Sequence, residues 1–203
     1  MAPRLIDDMT PWNVVAEYFR LFRYALTAYI PIAERSNTFV SLDMYESRMH
    51  HDFLKTALAP DVIVDNDKGV DVLLKCWRFI SISQPNYDVQ IVHLENGPGG
   101  VVAAKTKVRI VMCDNMLHFT FPHLAKSGRG RYLAAQLRNQ RFEIAGSTIF
   151  GWDSENRCMT SLYNKSDPLT PISRFLGNIE DLSFVFDKAH AAIEGRMILS
   201  PSA

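Results

Sequence analysis

Two periodicities divide this chain. Up to about Ile80, apolar residues recur three and four positions apart, as on one face of a helix. Thr10 and Pro11 supply an N-cap and a first helical residue, followed by a stripe of Val15, Tyr18, Phe19, Phe22 and Leu26; Pro31 closes the element. Ser41 caps a second expected helix with Tyr45, Met49, Phe53 and Ala57 on its stripe, ending before Pro60. Asp61 to Asp65 (DVIVD) reads as a short strand and Asn66-Asp67-Lys68-Gly69 as a turn. A third helix then turns Val70, Leu73, Leu74, Trp77 and Ile80 inward.

From Tyr87 the period becomes two, the signature of strands with one buried face. Strands are expected over 87–95 and 101–113, the latter with Val102, Ala104, Thr106, Val108, Ile110 and Met112 on one face. Lys105, Lys107 and Arg109 take the other. Asp114-Asn115 is read as a turn into a further strand over 116–122, and 126–131 (KSGRGR) as a polar loop. In 140–177, Phe142, Ile144, Gly146, Thr148 and Phe150 share one face of a long strand, while Arg141, Glu143 and Ser147 share the other. Asp153 to Asn156 turns this strand back, Asp167-Pro168 opens a helix over 169–176, and 180–192 is helical.

Helices first, antiparallel strands next and short helices last describe an α+β domain. The expected shape is a curved, cone-like sheet wrapped by the N-terminal helices. No repeat or low-complexity linker cuts the chain, so the expected organisation is an arm over 1–11, one domain over 12–195 and a frayed tail over 196–203.

Composition narrows the functions. Lys plus Arg and Asp plus Glu both number 22, leaving no global excess of positive charge to neutralise phosphates. Three separated cysteines without a CxxC pair point to a reducing compartment rather than to disulfides or zinc. Asp7 and Asp8 stand where a secretory leader would be apolar, and no apolar run suits a bilayer. An intracellular protein of cytoplasm or nucleus, without membrane contact, is expected.

The order of elements resembles the nuclear-transport-factor-two-like (SnoaL-like) superfamily, which includes polyketide cyclases, ketosteroid isomerase and scytalone dehydratase. More specifically, EYFRLFRYAL, FLKTALAPDV, GVDVLLKCWRFIS, FPHL, DPLTPISRFLG, IEDLSFVFDKA and EGR are similar to the C-terminal domain of oomycete basic leucine-zipper proteins. A basic zipper needs a Lys/Arg-rich helix followed by leucine heptads. The eleven residues before Trp12 hold one Arg and two Asp, so no nucleic-acid binding is expected of this chain.

The resemblance to ketosteroid isomerase implies a carboxylate base just after the second helix. The aligned position here is Asn66, which cannot abstract a proton, flanked by Asp65 and Asp67. The plainer reading of the three is a solvated turn. The same resemblance implies an oxyanion donor on the first helix, for which Tyr18 is nearest. An aromatic on that stripe is otherwise core. His93, His118 and His123 lie on or beside expected strands, where a dehydratase places its acid–base pair. His118 faces solvent if Leu117, Phe119 and Phe121 form the core face. Asp65, Tyr18 and His118 are thus the candidates for catalysis. His50-His51 lack metal spacing, and neither a metal nor a cofactor is expected.

Tyr18, Phe22, Trp77, Phe142 and Phe150 are expected to line an apolar ligand cavity between sheet and helices. Trp152 is expected at the sheet rim, and Arg129 and Arg131 in a solvated loop. The expected function is small-molecule binding, dimerisation, or both, in a regulatory family, with a homodimer formed through Lys105, Lys107, Arg109, Glu143 and Ser147. The alternatives are a cofactor-free lyase or isomerase using acid–base catalysis, and an interaction scaffold with a filled cone.

Overall fold

The computed structural model describes residues 9–26 and 48–189. Helix α1 (Pro11–Phe22) starts where Thr10 accepts a hydrogen bond from the Asn13 amide at 3.2 Å, and it buries Val14, Val15, Tyr18, Phe19 and Phe22. It stops four residues before the end of the apolar stripe. Residues Arg23–Leu26 form strand β1, in which Ala25 has a φ of 51°, a conformation that interrupts a right-handed helix. The Ser81 hydroxyl accepts from the Leu26 amide at 3.0 Å, and Arg23 pairs with Asp88 at 2.9 Å. Tertiary partners therefore override the local pattern. Pro31, Ser41, Tyr45 and the expected 196–203 tail lie outside the described residues.

Helix α2 (Arg48–Ala57) leads into β2 (Leu58–Val64), β3 (Asp67–Lys68) and helix α3 (Val70–Ser83). Strands β4 (Asp88–Asn96), β5 (Val102–Val111), β6 (Arg141–Asp153) and β7 (Cys158–Asp167) complete a sheet of order β3-β2-β7-β6-β5-β4. Each of the four long strands is antiparallel to its neighbour among them, and β2 joins β7 in parallel. Register shifts at Ile91/His93 and Gly151/Trp152 are bulges of the kind that bend a sheet. The inner face runs as the alternation predicts: Phe142, Ile144, Thr148 and Phe150 are buried on β6, and Val102, Ala104, Thr106 and Ile110 on β5.

The stretch between β5 and β6 departs from expectation. It holds helix α4 (Asp114–Thr120), a short 3₁₀ turn (Pro122–Lys126) and helix α5 (Gly128–Leu137), with neither a strand nor a polar loop. In α4 and the residue after it, Met116, Leu117, Thr120 and Phe121 are buried, a helical spacing that alternation had masked. Ser127 caps α5 by accepting from the Gly130 amide at 3.0 Å. Helices α6 (Leu169–Leu176) and α7 (Ile179–Phe186) close the described chain. Thr170 holds the Asp167 pKa below the ordinary value, first through its side-chain hydroxyl and then through its amide, which donates to the carboxylate at 3.0 Å.

Two apolar cores share the inner face. One joins α1, α2 and α3 to the sheet around Val102, Ala104 and Phe150. The other joins α4 to α7 around Ile110, Phe142 and Ile144. Tyr87 and Val108 pack against both.

Candidate functional site

Between the two cores lies a cavity of about 200 Å³. Its floor is the middle of β5 and β6, where Thr106 stands opposite Gly146 and Val108 opposite Ile144, with Thr148 further along β6. At roughly 3.3 Å per residue, the floor from Thr148 to Ile144 is about 13 Å long. Gly146 keeps it open: a Cβ there would stand 2.8 Å from the Thr106 hydroxyl and 3.2 Å from the Lys165 carbonyl.

One end is built by α1 and α3. Tyr18 is buried, its ring edge-on to Phe150 at 5.5 Å, and its hydroxyl accepts from the Trp77 indole at 3.1 Å. An oxygen that accepts from an indole keeps its own proton to donate. Burial raises the Tyr18 pKa well above the ordinary phenol value. The indole bond opposes that shift, and Tyr87, Cys76 and Asp65 add to it. Tyr18 is therefore a neutral donor at any working pH. Cys76 also lines this end, and burial, followed by the Asp65 and Asp67 carboxylates, pushes its thiol up to about 11.

Asp65 reaches the cavity from a turn with a φ of 53°. Its amide donates to the Leu162 carbonyl at 2.9 Å, and its carboxylate accepts from the Asn164 amide at 2.8 Å. The side-chain oxygen of Asn164 in turn accepts from Thr148 at 3.0 Å. These bonds clamp the end of β2 to β7, so Asp65 has a structural task whatever else it does. Neighbouring Asn66 and Asp67 are exposed.

The other end is built by α4, α6 and α7, through Met116, Thr120, Phe121, Ile172 and Phe186. Thr120 is buried, and its hydroxyl has no hydrogen-bond partner among the described residues.

Of the aromatic residues expected to line a cavity, Tyr18 and Trp77 do so. Phe22 stacks on Trp77, Phe150 meets Tyr18 edge-on, and Phe142, in the second core, meets the exposed Phe175. Trp152 packs partly buried against the first core. Sequence reasoning missed Thr106, Thr120 and Asn164 as lining residues. The polar members of the inner-face alternation, Thr106 and Thr148, were the available signal.

The histidines lie elsewhere. His118 is on α4 rather than a strand, exposed and edge-on to Phe119. His123 is in the 3₁₀ turn, its ring nitrogen 3.1 Å from the Phe184 carbonyl, and His93 is exposed beside Glu95. His50 is buried with a ring nitrogen 3.1 Å from the Leu21 carbonyl. Arg129 is on helix α5 rather than in a loop. It pairs with Asp181 at 2.7 Å and lies over the Phe184 ring. Arg131, on the same helix, donates to the Ala125 carbonyl. Among the described residues, no group of three His, Cys, Asp or Glu is placed to hold a metal ion. None of the described helices is long and apolar enough to cross a membrane.

This arrangement, a curved sheet with helices over a central cavity, is the cone of the nuclear-transport-factor-two-like fold, in its SnoaL-like form. A SnoaL-like polyketide cyclase from Agrobacterium tumefaciens str. c58 superposes with a TM-score of 0.52 at 10% identity, over 83% of this chain and 98% of that one. TsrD from Streptomyces laurentii matches with a TM-score of 0.46 at 14% identity, over 82% and 97%. The particular family resemblance comes from the N-terminal part: residues 12–83, α1 through α3, match the family model of the BZIP transcription factor 1 C-terminal domain. Among curated proteins none matches this sequence.

Proposed function

We propose that the domain is a ligand-binding module of a regulatory protein family, taking a small, mostly apolar compound with a carbonyl or similar acceptor. One observation carries the reading: Tyr18 lines a mostly apolar cavity with a hydroxyl that accepts from Trp77 and donates to none of the described residues. The match of residues 12–83 to a transcription-factor domain supports the regulatory setting. An apolar cavity of roughly 150 Å³ is enough to hold benzene. About 200 Å³ suits a compound of one or two rings, and an interior with that much room speaks against a filled scaffold.

A second reading, a cofactor-free isomerase or lyase, draws on Asp65 and Tyr18 lining the same cavity, as the superfamily's cyclases and isomerases suggest. Asp65→Asn separates the two. Asparagine keeps the oxygen that accepts from Asn164 and tolerates the left-handed backbone, so only the charge is lost. Binding of α-tetralone, followed by calorimetry, is expected to survive Asp65→Asn and to weaken about fivefold to tenfold in Tyr18→Phe. Turnover of a carbonyl compound that disappears in Asp65→Asn would establish the enzyme instead.

A homodimer through the outer sheet is part of the proposal. Ile149 and Tyr163 are cross-strand partners, each about two-fifths exposed (43% and 41%), at the centre of that face. The charges around them are already matched within the chain: Lys107 with Glu143 at 2.9 Å, Arg109 with Asp88 at 3.5 Å, Lys105 with Glu95 at 3.6 Å. A two-fold axis through this patch would bury the apolar pair and leave the ion pairs at the rim. Sedimentation is expected to show a dimer that Tyr163→Glu splits. A native monomer at high concentration would rule it out.

A further inference from the structure

Of the residues that line the cavity, Asp65 and Lys165 are the two that carry charge. We infer, building on the ligand-binding reading, that the ligand carries a protonated amine and that Asp65 is its counter-ion. Along β7, Asn164 turns inward to accept from Thr148, so the next residue, Lys165, turns to the outer face with Tyr163 and is exposed. Lys165 meets the lining through its backbone carbonyl, beside Gly146. The charge left to the cavity is therefore a single carboxylate. Asp65 is half-buried and accepts from the Asn164 amide at 2.8 Å, and it pairs with no Lys, Arg or His among the described residues. Its charge is felt along the wall, where it adds to the raised pKa of both Tyr18 and Cys76. A carboxylate partly removed from water is stabilised most by an opposite charge close by, and a ligand in the cavity can bring one. The rings of Tyr18, Phe19, Trp77 and Tyr87 line the same space, and the negative faces of aromatic rings favour a cation over an anion. Thr106, Thr148 and Asn164 are neutral and leave the sign of the ligand's charge to Asp65. The bond to Asn164 already holds the carboxylate in place, which lowers the ordering cost of binding.

The test is calorimetry on the whole chain at about pH 7 with three probes of nearly the same shape: 2-aminotetralin, protonated at that pH, neutral 2-tetralol and anionic tetralin-2-carboxylate. The native protein is expected to bind the amine about tenfold more tightly than the alcohol, and the carboxylate most weakly. In Asp65→Asn the amine should lose its advantage while α-tetralone binds as before, which shows the cavity intact. If native protein binds α-tetralone but does not distinguish amine from alcohol, or binds the carboxylate as tightly as the amine, the inference falls and the ligand-binding reading stands. If the amine keeps its advantage in Asp65→Asn, its partner lies elsewhere and the inference also falls. Should Asp65→Asn fail to fold, the order of the three probes on native protein decides alone. Binding of no probe, α-tetralone included, to folded native protein would overturn both readings.

Discussion

Tyr18 and Cys76 show how one buried environment sets two chemistries. Both are raised above their ordinary pKa by desolvation, with nearby Asp65 adding to each shift. For tyrosine this secures a neutral donor. For cysteine it suppresses the thiolate, the form that reacts. With a thiol at about 11, the thiolate fraction near pH 8 is on the order of one in a thousand. Alkylation of Cys76 by iodoacetamide, followed by peptide mass spectrometry, is expected to be slow there. It should quicken about tenfold per pH unit towards pH 10, provided the fold persists. Reaction at pH 8 as fast as that of a free peptide thiol would contradict the burial argument. The single residues most readable in sequence were those whose chemistry and stripe agreed, Tyr18 and Trp77. Asp65 was ambiguous because a turn aspartate and a cavity carboxylate look alike until the chain places Asn164 beside it.

At the scale of elements, α5 makes the sharpest prediction. A Cβ added at Gly130 would lie 2.2 Å from the Leu124 carbonyl oxygen, and a backbone atom cannot rotate aside. Gly130→Ala should therefore cost roughly 3 kcal/mol of stability, read by urea denaturation. A change below about 0.5 kcal/mol would mean that α5 does not pack on the 3₁₀ turn as described. This helix and α4 were the elements least legible in the sequence. Over 116–121 (MLHFTF) a two-residue alternation and a helical face coexist, and glycines at 128 and 130 disguise a helix start as a loop. The signals that arbitrate are Ser127 bonding to the Gly130 amide, and Leu133 and Leu137 buried one turn apart. Strands β5 and β6 were legible because ten residue pairs in continuous register keep their alternation unbroken. The end of α1 was not, because Ser81 and Asp88, which redirect residues 23–26, are more than fifty positions away.

For the molecule as a whole, the decisive feature is that two cores meet without filling the space between them. The described fold supplies a floor from β5 and β6, a donor end from α1 and α3, and an apolar end from α4, α6 and α7. All of the proposed chemistry depends on that interior being available to a ligand. Val108 lies mid-floor and packs against both cores, so a larger side chain there fills the space directly. The most direct test is calorimetric titration of α-tetralone into native protein and into Val108→Phe, with circular dichroism to verify that both are folded. The native protein is expected to bind with a dissociation constant on the order of 100 µM, as a compound of that size allows, and Val108→Phe to show no heat of binding. Equal binding by the two proteins, or none by the native one, would contradict the cavity as the site of function.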